Sequence, residues 1–508
     1  MTDHLARCSR GALRGGRDGD VLVFRGVPYA APPVGELRWR RPRPVAPWAG
    51  VRDALEFGPV ASQPSASGPK GSEDCLYLNV WTPAVDDRQR PVVVAVHGGG
   101  LMTGSASSRL TNGAELSARG DVVVVGVTYR LGALGTIYAP EHLDSDGDSS
   151  TNLAVWDVLT ALRFVRAEIA AFGGDPDNVT AMGHSSGAVI LGCILASEAG
   201  RGAFDKVILQ SGGMEQVRTV AQARRTGERF WDALTAGAHD DPRTIPVERI
   251  LDAQIKAAAV KSMVPPNAIT HPTIDGELPA VHPITAAARG ETHDVALLIG
   301  STWDEWRWMD HPADASLDDA EVRRRVRALL GEFHEPIEIT ESAIDEVIDI
   351  YRRGLEAHAR PTDSRWLASM LVTDFHFCVS NYQLALSHAK AGRVAFHYVI
   401  DWPAPGDELG SCHGMCVPLV FGTLEVAAKL VGDAEAARPV SRMVQDAWLS
   451  FVRHGDPSCG SVGEWPPLSA STRPTMVIGP STAHIENPHR AEMIGVWDHA
   501  YDRIDRRV

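Results

Sequence analysis

The chain has 508 residues, of which 44% are hydrophobic and 22% are charged, and its formal net charge at pH 7 is −15. This composition is that of an ordinary globular protein and argues against a disordered, fibrous or membrane-spanning chain. Lys and Arg are scattered along the chain, so we expect no basic surface that neutralises phosphates and no nucleic-acid partner.

Two features bear on cellular location. The first ten residues lack the apolar core of a signal peptide, and no apolar run reaches the roughly 18 residues that a bilayer-spanning helix needs. The seven cysteines are few, odd in number and irregularly spaced, which is typical of a reducing compartment. We therefore expect a cytoplasmic protein without a membrane partner. Only six of the 49 basic residues are Lys, and this arginine bias indicates a bacterial source.

The predicted elements alternate between strands and helices. Residues 24–35 are dense in Pro and Gly and should lie extended across the surface. Residues 92–96 and 122–127 are short β-branched runs, typical of strands buried on both faces of a parallel sheet. Apolar residues recur at three- and four-residue steps between 152 and 172, which predicts a helix. This order favours an α/β fold with a mostly parallel sheet flanked by helices.

The later part of the chain is mainly helical in pattern. Two segments, at roughly 215–290 and 316–395, are rich in Ala, Arg and Glu, and we interpret them as helical insertions that cap one end of the sheet. Because α/β enzymes often run long around one sheet, residues 1–508 are predicted to form a single domain.

The most informative motif is Gly-His-Ser-Ser-Gly at residues 183–187. It follows a strand-like run at 178–182 and precedes a helix-like run at 188–195, which is the context that a nucleophile elbow requires. The glycines permit a tight turn that exposes the hydroxyl of Ser185, and the helix N-terminus favours negative charge there. Upstream, residues 97–100 read His-Gly-Gly-Gly directly after a buried strand, a pattern whose N–H groups form part of an oxyanion hole.

These motifs are part of a wider resemblance between this sequence and a known family. Residues 25–30, 73–80, 97–100, 129–132, 172–176 and 183–187 together resemble the type-B carboxylesterase family, which includes bacterial para-nitrobenzyl esterases and cholinesterases. The resemblance spans nearly the whole chain. It implies an α/β-hydrolase fold, no cofactor and a serine carboxylesterase that acts on uncharged esters through an acyl-enzyme intermediate.

The resemblance also implies the remaining site residues. Residues 300–305 are similar to the family's acid segment, and residues 410–422 to its histidine loop. Glu305 would be the triad acid and His413 the general base, although Asp304 is an equal candidate without the resemblance. The order Ser185, Glu305, His413 is that of α/β-hydrolases. The implied oxyanion hole uses the N–H groups of Gly99, Gly100 and Ser186.

Several positions depart from the family or extend the site. His184 and Ser186 flank the serine where the family usually has Glu and Ala, and Cys416 stands where Glu is usual. Ser211 would hydrogen-bond near His413, the alternative being an ordinary turn serine. The residues predicted to line the substrate pocket are Leu101, Met102, Trp303 and Trp306. For the two tryptophans, packing in the core is an equally good interpretation.

Three alternatives remain open at this point. The same triad can hydrolyse a carbamate, amide or lactone, since it does not choose the leaving group. A non-catalytic cholinesterase-like binding protein is disfavoured because the catalytic residues are retained. A metal site at Cys412, His413 and Cys416 is disfavoured because the loop supplies no fourth ligand. We expect a small-molecule ester as the partner, no metal, and a monomer or small homo-oligomer.

Overall fold

A computed structural model describes residues 4–143, 151–235, 241–258, 270–310, 317–333, 339–406 and 408–497. The strands are β1 (Leu5–Cys8), β2 (Gly11–Arg14), β3 (Gly16–Asp18), β4 (Val21–Pro28), β5 (Val51–Asp53), β6 (Tyr77–Thr82), β7 (Arg90–Val96), β8 (Val123–Val127), β9 (Gly174–His184), β10 (Lys206–Gln210), β11 (Ala296–Thr302), β12 (Ala395–Ile400), β13 (Thr475–Ile478) and β14 (Ala483–Glu486). Strands β1, β2 and β5 form a small sheet, and the other eleven form one large sheet.

The large sheet is mostly parallel, which confirms the predicted α/β class. Its strand order is β14-β13-β12-β11-β10-β9-β7-β8-β6-β4-β3, with parallel pairing from β13 across to β8 and antiparallel pairing at both edges. The predicted strands at 92–96 and 122–127 are confirmed as β7 and β8. The carboxyl ends of the parallel strands meet at one edge of the sheet, where ligand sites of open α/β sheets lie.

Helices cover both faces of this sheet. They are α1 (Ala114–Gly120), α2 (Gly132–Thr136), α3 (Pro140–Leu143), α4 (Leu153–Glu168), α5 (Ser186–Leu195), α6 (Val220–Thr235), α7 (Val247–Ala258), α8 (Pro283–Ala288), α9 (Asp319–Phe333), α10 (Glu341–Ala357), α11 (Ser364–Thr373), α12 (Ser380–Lys390), α13 (Cys416–Phe421), α14 (Ala428–Val431), α15 (Ala434–His454) and α16 (Ala491–Gly495). Along β7, Val92 and Val94 join the core cluster of α4 and α5, whereas Val93 joins that of Trp448 in α15. This alternation buries the strand on both faces.

The other predicted elements have mixed outcomes. The helix expected at 152–172 is confirmed as α4, which continues into a short 3₁₀ turn at Ile169–Phe172. Residues 24–34 are extended as expected, but a surface position holds only for the later part: residues 24–28 end strand β4 of the large sheet and Tyr29 is buried, whereas Pro32 and Val34 are exposed. The described parts of 215–290 contain α6 to α8, and those of 316–395 contain α9 to α12; their status as insertions in a single domain stays a prediction. No helix among the described residues is long and apolar enough to cross a membrane.

Candidate active site

The serine of the Gly-His-Ser-Ser-Gly motif occupies the turn between β9 and α5. Ser185 has φ 54° and ψ −127°, a conformation in the positive-φ region that costs a non-glycine residue about 1–3 kcal/mol. The turn is held by its backbone, because Ser185 N–H donates to Gln210 O at 2.8 Å. Glycine is required at 187, since a Cβ there would overlap the carbonyl oxygen of Val96. The strand, turn and helix that the motif predicted are therefore present.

A continuous chain of hydrogen bonds joins Ser185, His413 and Glu305. His413 Nε2 lies 2.9 Å from Ser185 Oγ, and His413 Nδ1 lies 2.5 Å from Glu305 Oε2. The other carboxylate oxygen of Glu305 accepts from the backbone N–H of Thr302 at 2.7 Å. The side chain of Glu305 is fully buried and that of His413 is 15% exposed, so the carboxylate–imidazole contact is largely shielded from solvent. The arrangement can transfer a proton from the serine to an oriented, stabilised imidazole.

The neighbouring Asp304 contacts a different residue. Its Oδ2 accepts from the N–H of Ser411 at 2.8 Å, and its own N–H donates to Ser411 O at 2.9 Å. Complete burial raises the pKa of Asp304 to about 6. Asp304 therefore anchors the loop that carries His413, two residues beyond Ser411, and it does not reach the imidazole ring. Residue type alone could not distinguish these two adjacent carboxylates.

The glycine loop after β7 presents free N–H groups beside the serine. Gly99 and Gly100 have φ values of 122° and 62°, and a Cβ on Gly99 would overlap Thr103 O. Within the described residues, the N–H groups of Gly99, Gly100 and Ser186 donate to no acceptor. Three unpaired donors at a helix N-terminus and a glycine turn are suited to a developing oxyanion.

The side chain of Ser186 faces the glycine loop. Its Oγ accepts from the N–H of Leu101 at 3.2 Å, so the hydroxyl ties the start of α5 to the residue after the glycines. The side chain of Leu101 is buried, and Met102 contributes its sulfur to a contact with Gln254 Nε2 at 3.2 Å. The predicted pocket role of Leu101 and Met102 stays a prediction, while the structure assigns both a packing role at this loop.

A second imidazole lies directly beside the first. The rings of His184 and His413 have centroids 4.9 Å apart with an interplanar angle of 36°. Burial lowers the pKa of His184 well below its usual value, and the nearby His413 lowers it further, so His184 is neutral near pH 7. Its Nε2 is buried without a hydrogen-bond partner among the described residues. The position usually occupied by Glu in the resembling family thus holds an uncharged ring.

The polar residues behind His413 include two thiols. Ser211 contacts Cys416, with Oγ and Sγ 4.0 Å apart, and its side chain forms no hydrogen bond with His413. Cys412 and Cys416 are fully buried, and burial raises the pKa of both thiols, to about 12 for Cys412. Within the described part of the chain, no group of three His, Cys, Asp or Glu side chains is arranged to hold a metal ion.

The two predicted pocket tryptophans lie in different surroundings. Trp303 is buried between the guanidinium groups of Arg490 and Arg360, at 4.3 and 4.7 Å from its ring, which matches the core-packing interpretation. Trp306 instead stacks on His376 with ring centroids 5.5 Å apart.

Sequence reasoning missed Phe377 and His376, which lie in a π-helical turn at Asp374–Val379. The ring centroids of Phe377 and His413 are 5.2 Å apart, so this turn reaches the Ser185–His413–Glu305 cluster. No motif marks the turn, because its residues read as part of one long helical segment. The one feature of the sequence that could have indicated this turn is the run Phe-His-Phe at 375–377, where a polar His stands between two large apolar side chains.

Comparison with known proteins gives consistent matches. A family model described as the carboxylesterase family matches residues 3–497. The para-nitrobenzyl esterase of Bacillus subtilis (strain 168) is 32% identical over 510 residues, covering 97% of this chain and 98% of that protein. The phenmedipham hydrolase of Pseudarthrobacter oxydans is 32% identical over 513 residues, covering 96% and 97%. The crystal structure of a Geobacillus stearothermophilus carboxylesterase has a TM-score of 0.83 at 31% identity, covering 97% of this chain and 100% of that chain.

Proposed function

The chain belongs to the carboxylesterase family and hydrolyses carboxylic esters, and we propose that it does so with Ser185 as nucleophile, His413 as general base and Glu305 as the acid that orients His413. The observation that carries this proposal is the unbroken hydrogen-bond chain from Glu305 Oε2 through both nitrogens of His413 to Ser185 Oγ. A hydroxyl is a poor nucleophile until a base accepts its proton, and this geometry supplies that base.

The reaction proceeds in two halves. Ser185 Oγ bonds to the ester carbonyl carbon while its proton passes to His413, and the carbonyl oxygen becomes an oxyanion that accepts from the N–H groups of Gly99, Gly100 and Ser186. The tetrahedral intermediate then expels the alcohol, which takes the proton from His413 and leaves an acyl-serine. Water, deprotonated by His413, attacks the acyl carbon, and the acid is released as Ser185 regains its proton.

The proposal also covers the substrate class and the cellular location. An uncharged small ester fits a buried centre, because a charge brought into such a site needs a paired counter-charge. All seven cysteines, each within the described residues, are free thiols, which supports a reducing bacterial cytoplasm as the location.

The test uses a fluorophosphonate probe together with para-nitrophenyl acetate and butyrate. We expect the wild-type protein to be labelled stoichiometrically and to hydrolyse both esters, and Ser185→Ala to lose labelling and at least about 10⁴-fold in kcat. A variant that keeps full activity, or a wild-type protein that neither reacts nor hydrolyses, contradicts the proposal.

A further inference from the structure

Beside the catalytic centre lies a group of polar side chains that the reaction just described does not use. We call this group, consisting of Glu215, His271 and His376, the polar wall. His376 is fully buried and His271 is 7% exposed, while the side chain of Glu215 is 11% exposed. Such residues are rarely buried without a structural or functional reason.

Residues next to the polar wall contact the reacting groups. His376 stacks on Trp306, which follows the triad acid in sequence. Phe377, next to His376, packs against the ring of His413. The segment carrying His271 pairs with the one carrying Glu215, since Arg218 N–H donates to Pro272 O at 2.8 Å, and Thr270 Oγ1 donates to Gly100 O at 2.9 Å. The wall is therefore linked to the base through Phe377 and to the oxyanion loop through Thr270.

The wall is built into the fold. Ser380 Oγ donates to His376 O at 2.9 Å and accepts from the N–H of Met214 at 3.2 Å, so the π-helical turn and the segment carrying Glu215 are joined. His376 Nδ1 lies 2.7 Å from Glu215 Oε1. These contacts fix the positions of both side chains, which is the preorganisation that a specificity site requires.

Each member of the wall nevertheless keeps one unused polar atom. Glu215 Oε2, His376 Nε2 and His271 Nδ1 are buried and have no hydrogen-bond partner among the described residues. A buried polar atom without a partner is costly, and three of them clustered beside the reacting groups point to a group that arrives from outside the protein. In an ester-hydrolysing centre, the arriving molecule is the substrate.

The charges around the wall favour a neutral group with both donor and acceptor character. Glu215 disfavours an anion. Arg218, buried and bonded to Thr226 Oγ1 and Thr273 Oγ1, disfavours a cation. Burial lowers the pKa of His271 to about 3, so its ring is neutral and one nitrogen can donate or accept according to its tautomer. A hydroxyl both donates to a carboxylate oxygen and accepts from a ring N–H, and so meets these requirements.

We propose that Glu215, His271 and His376 form a subsite that binds a hydroxyl group of the substrate, making this esterase selective for hydroxylated esters. The inference rests on the proposed ester hydrolysis at Ser185 and deepens it by naming a substrate class. The hydroxyl can belong to the acyl part or to the alcohol part of the ester.

The test compares kcat/KM within two matched substrate pairs. The acyl pair is 4-nitrophenyl butyrate and 4-nitrophenyl 3-hydroxybutyrate, and the alcohol pair is ethyl butyrate and 2-hydroxyethyl butyrate. We expect the wild-type enzyme to favour the hydroxylated ester by roughly tenfold or more in one pair, because the plain ester leaves the wall atoms unpaired. The pair that responds identifies which part of the ester the wall contacts.

Variants then assign the preference to these residues. Glu215→Gln should reduce the ratio several-fold, and the apolar double variant Glu215→Leu with His376→Phe should abolish it or reverse it. Glu168→Gln is the matched control, since Glu168 is a buried carboxylate that bonds to Ser9 far along the chain and should leave the ratio unchanged. If the double variant does not fold, Glu215→Gln alone decides.

The outcomes separate the two proposals. A wild-type ratio near one in both pairs, or a raised ratio that survives Glu215→Gln and the double variant, overturns the hydroxyl subsite while labelling and turnover at Ser185 persist. Absence of labelling and of turnover with all four esters instead overturns the proposed function, and the subsite with it.

Discussion

Two regions flank Ser185 and differ in how their polar groups are satisfied. On the sheet side, Glu305 uses both carboxylate oxygens and His413 uses both ring nitrogens in hydrogen bonds within the protein. On the helical side, Glu215, His376 and His271 each retain a buried polar atom without a partner among the described residues.

The difference separates two tasks. A saturated hydrogen-bond chain holds the reacting groups in one geometry before any substrate arrives, which is what general base catalysis needs. Unsaturated atoms gain partners only when a suitable molecule binds, which is what selectivity needs. Changes on the sheet side should therefore lower turnover of every ester, whereas changes on the helical side should alter the ratio between esters.

The largest effect expected from this comparison, apart from loss of the nucleophile, is that of Glu305→Gln. An amide cannot stabilise the imidazolium and favours the wrong tautomer of His413, so kcat should fall by about 10³–10⁴-fold for plain and hydroxylated esters alike. Steady-state kinetics with both substrate pairs measures this.

Asp304→Asn is the matched control for that variant. The amide oxygen of Asn can still accept from the N–H of Ser411, so the histidine loop should stay in place and kcat should change by less than about tenfold. An equal loss in the two variants would contradict the assignment of Glu305 as the triad acid.

The next effect concerns the glycine loop. Gly99→Ala introduces a Cβ that overlaps Thr103 O, which should displace the Gly99 N–H and lower kcat by about 10²–10³-fold. A Cβ on Gly100 meets no atom within 4 Å, so Gly100→Ala should cost only the strain of a positive φ and lose less activity. The reverse order of losses would place the oxyanion donors elsewhere.

The smallest effect is a shift in pH dependence at His184. As the proposed general base, His413 must be neutral to act, and His184 adds no charge near pH 7 because burial keeps its own pKa low. In His184→Glu, the new carboxylate stabilises an adjacent imidazolium and should move the acid limb of kcat/KM upward by about one pH unit. His184→Gln introduces no charge and should leave the limb in place. Equal pH profiles of kcat/KM in the two variants would show that a charge at position 184 does not affect the protonation of the general base.

The sequence predicted the parts of the fold that depend on local patterns. The β-branched runs of β7 and β8, the α4 periodicity and the elbow glycines each restrict the backbone within a few residues, so these elements were predicted correctly. The pairing of His413 with Glu305, 108 residues apart, was reached only through family resemblance, because spacing does not encode contacts over such distances.

The remaining site residues depend on packing that no short pattern records. Trp303 and Trp306 are three positions apart and have the same residue type, yet one lies between two guanidinium groups and the other faces the polar wall. The segments carrying Glu215, His271 and His376 lie far apart in the chain and meet through tertiary hydrogen bonds, so their proximity could not be predicted from their positions in the chain.

The central claim is that Ser185 is the residue that carries the acyl group. Peptide mapping by mass spectrometry after fluorophosphonate treatment tests it directly, since Ser185 and Ser186 are adjacent and fragment ions distinguish them. The account predicts one adduct per chain, located on Ser185 and absent when His413 is replaced by Ala. An adduct on Ser186 or on any other residue would contradict it.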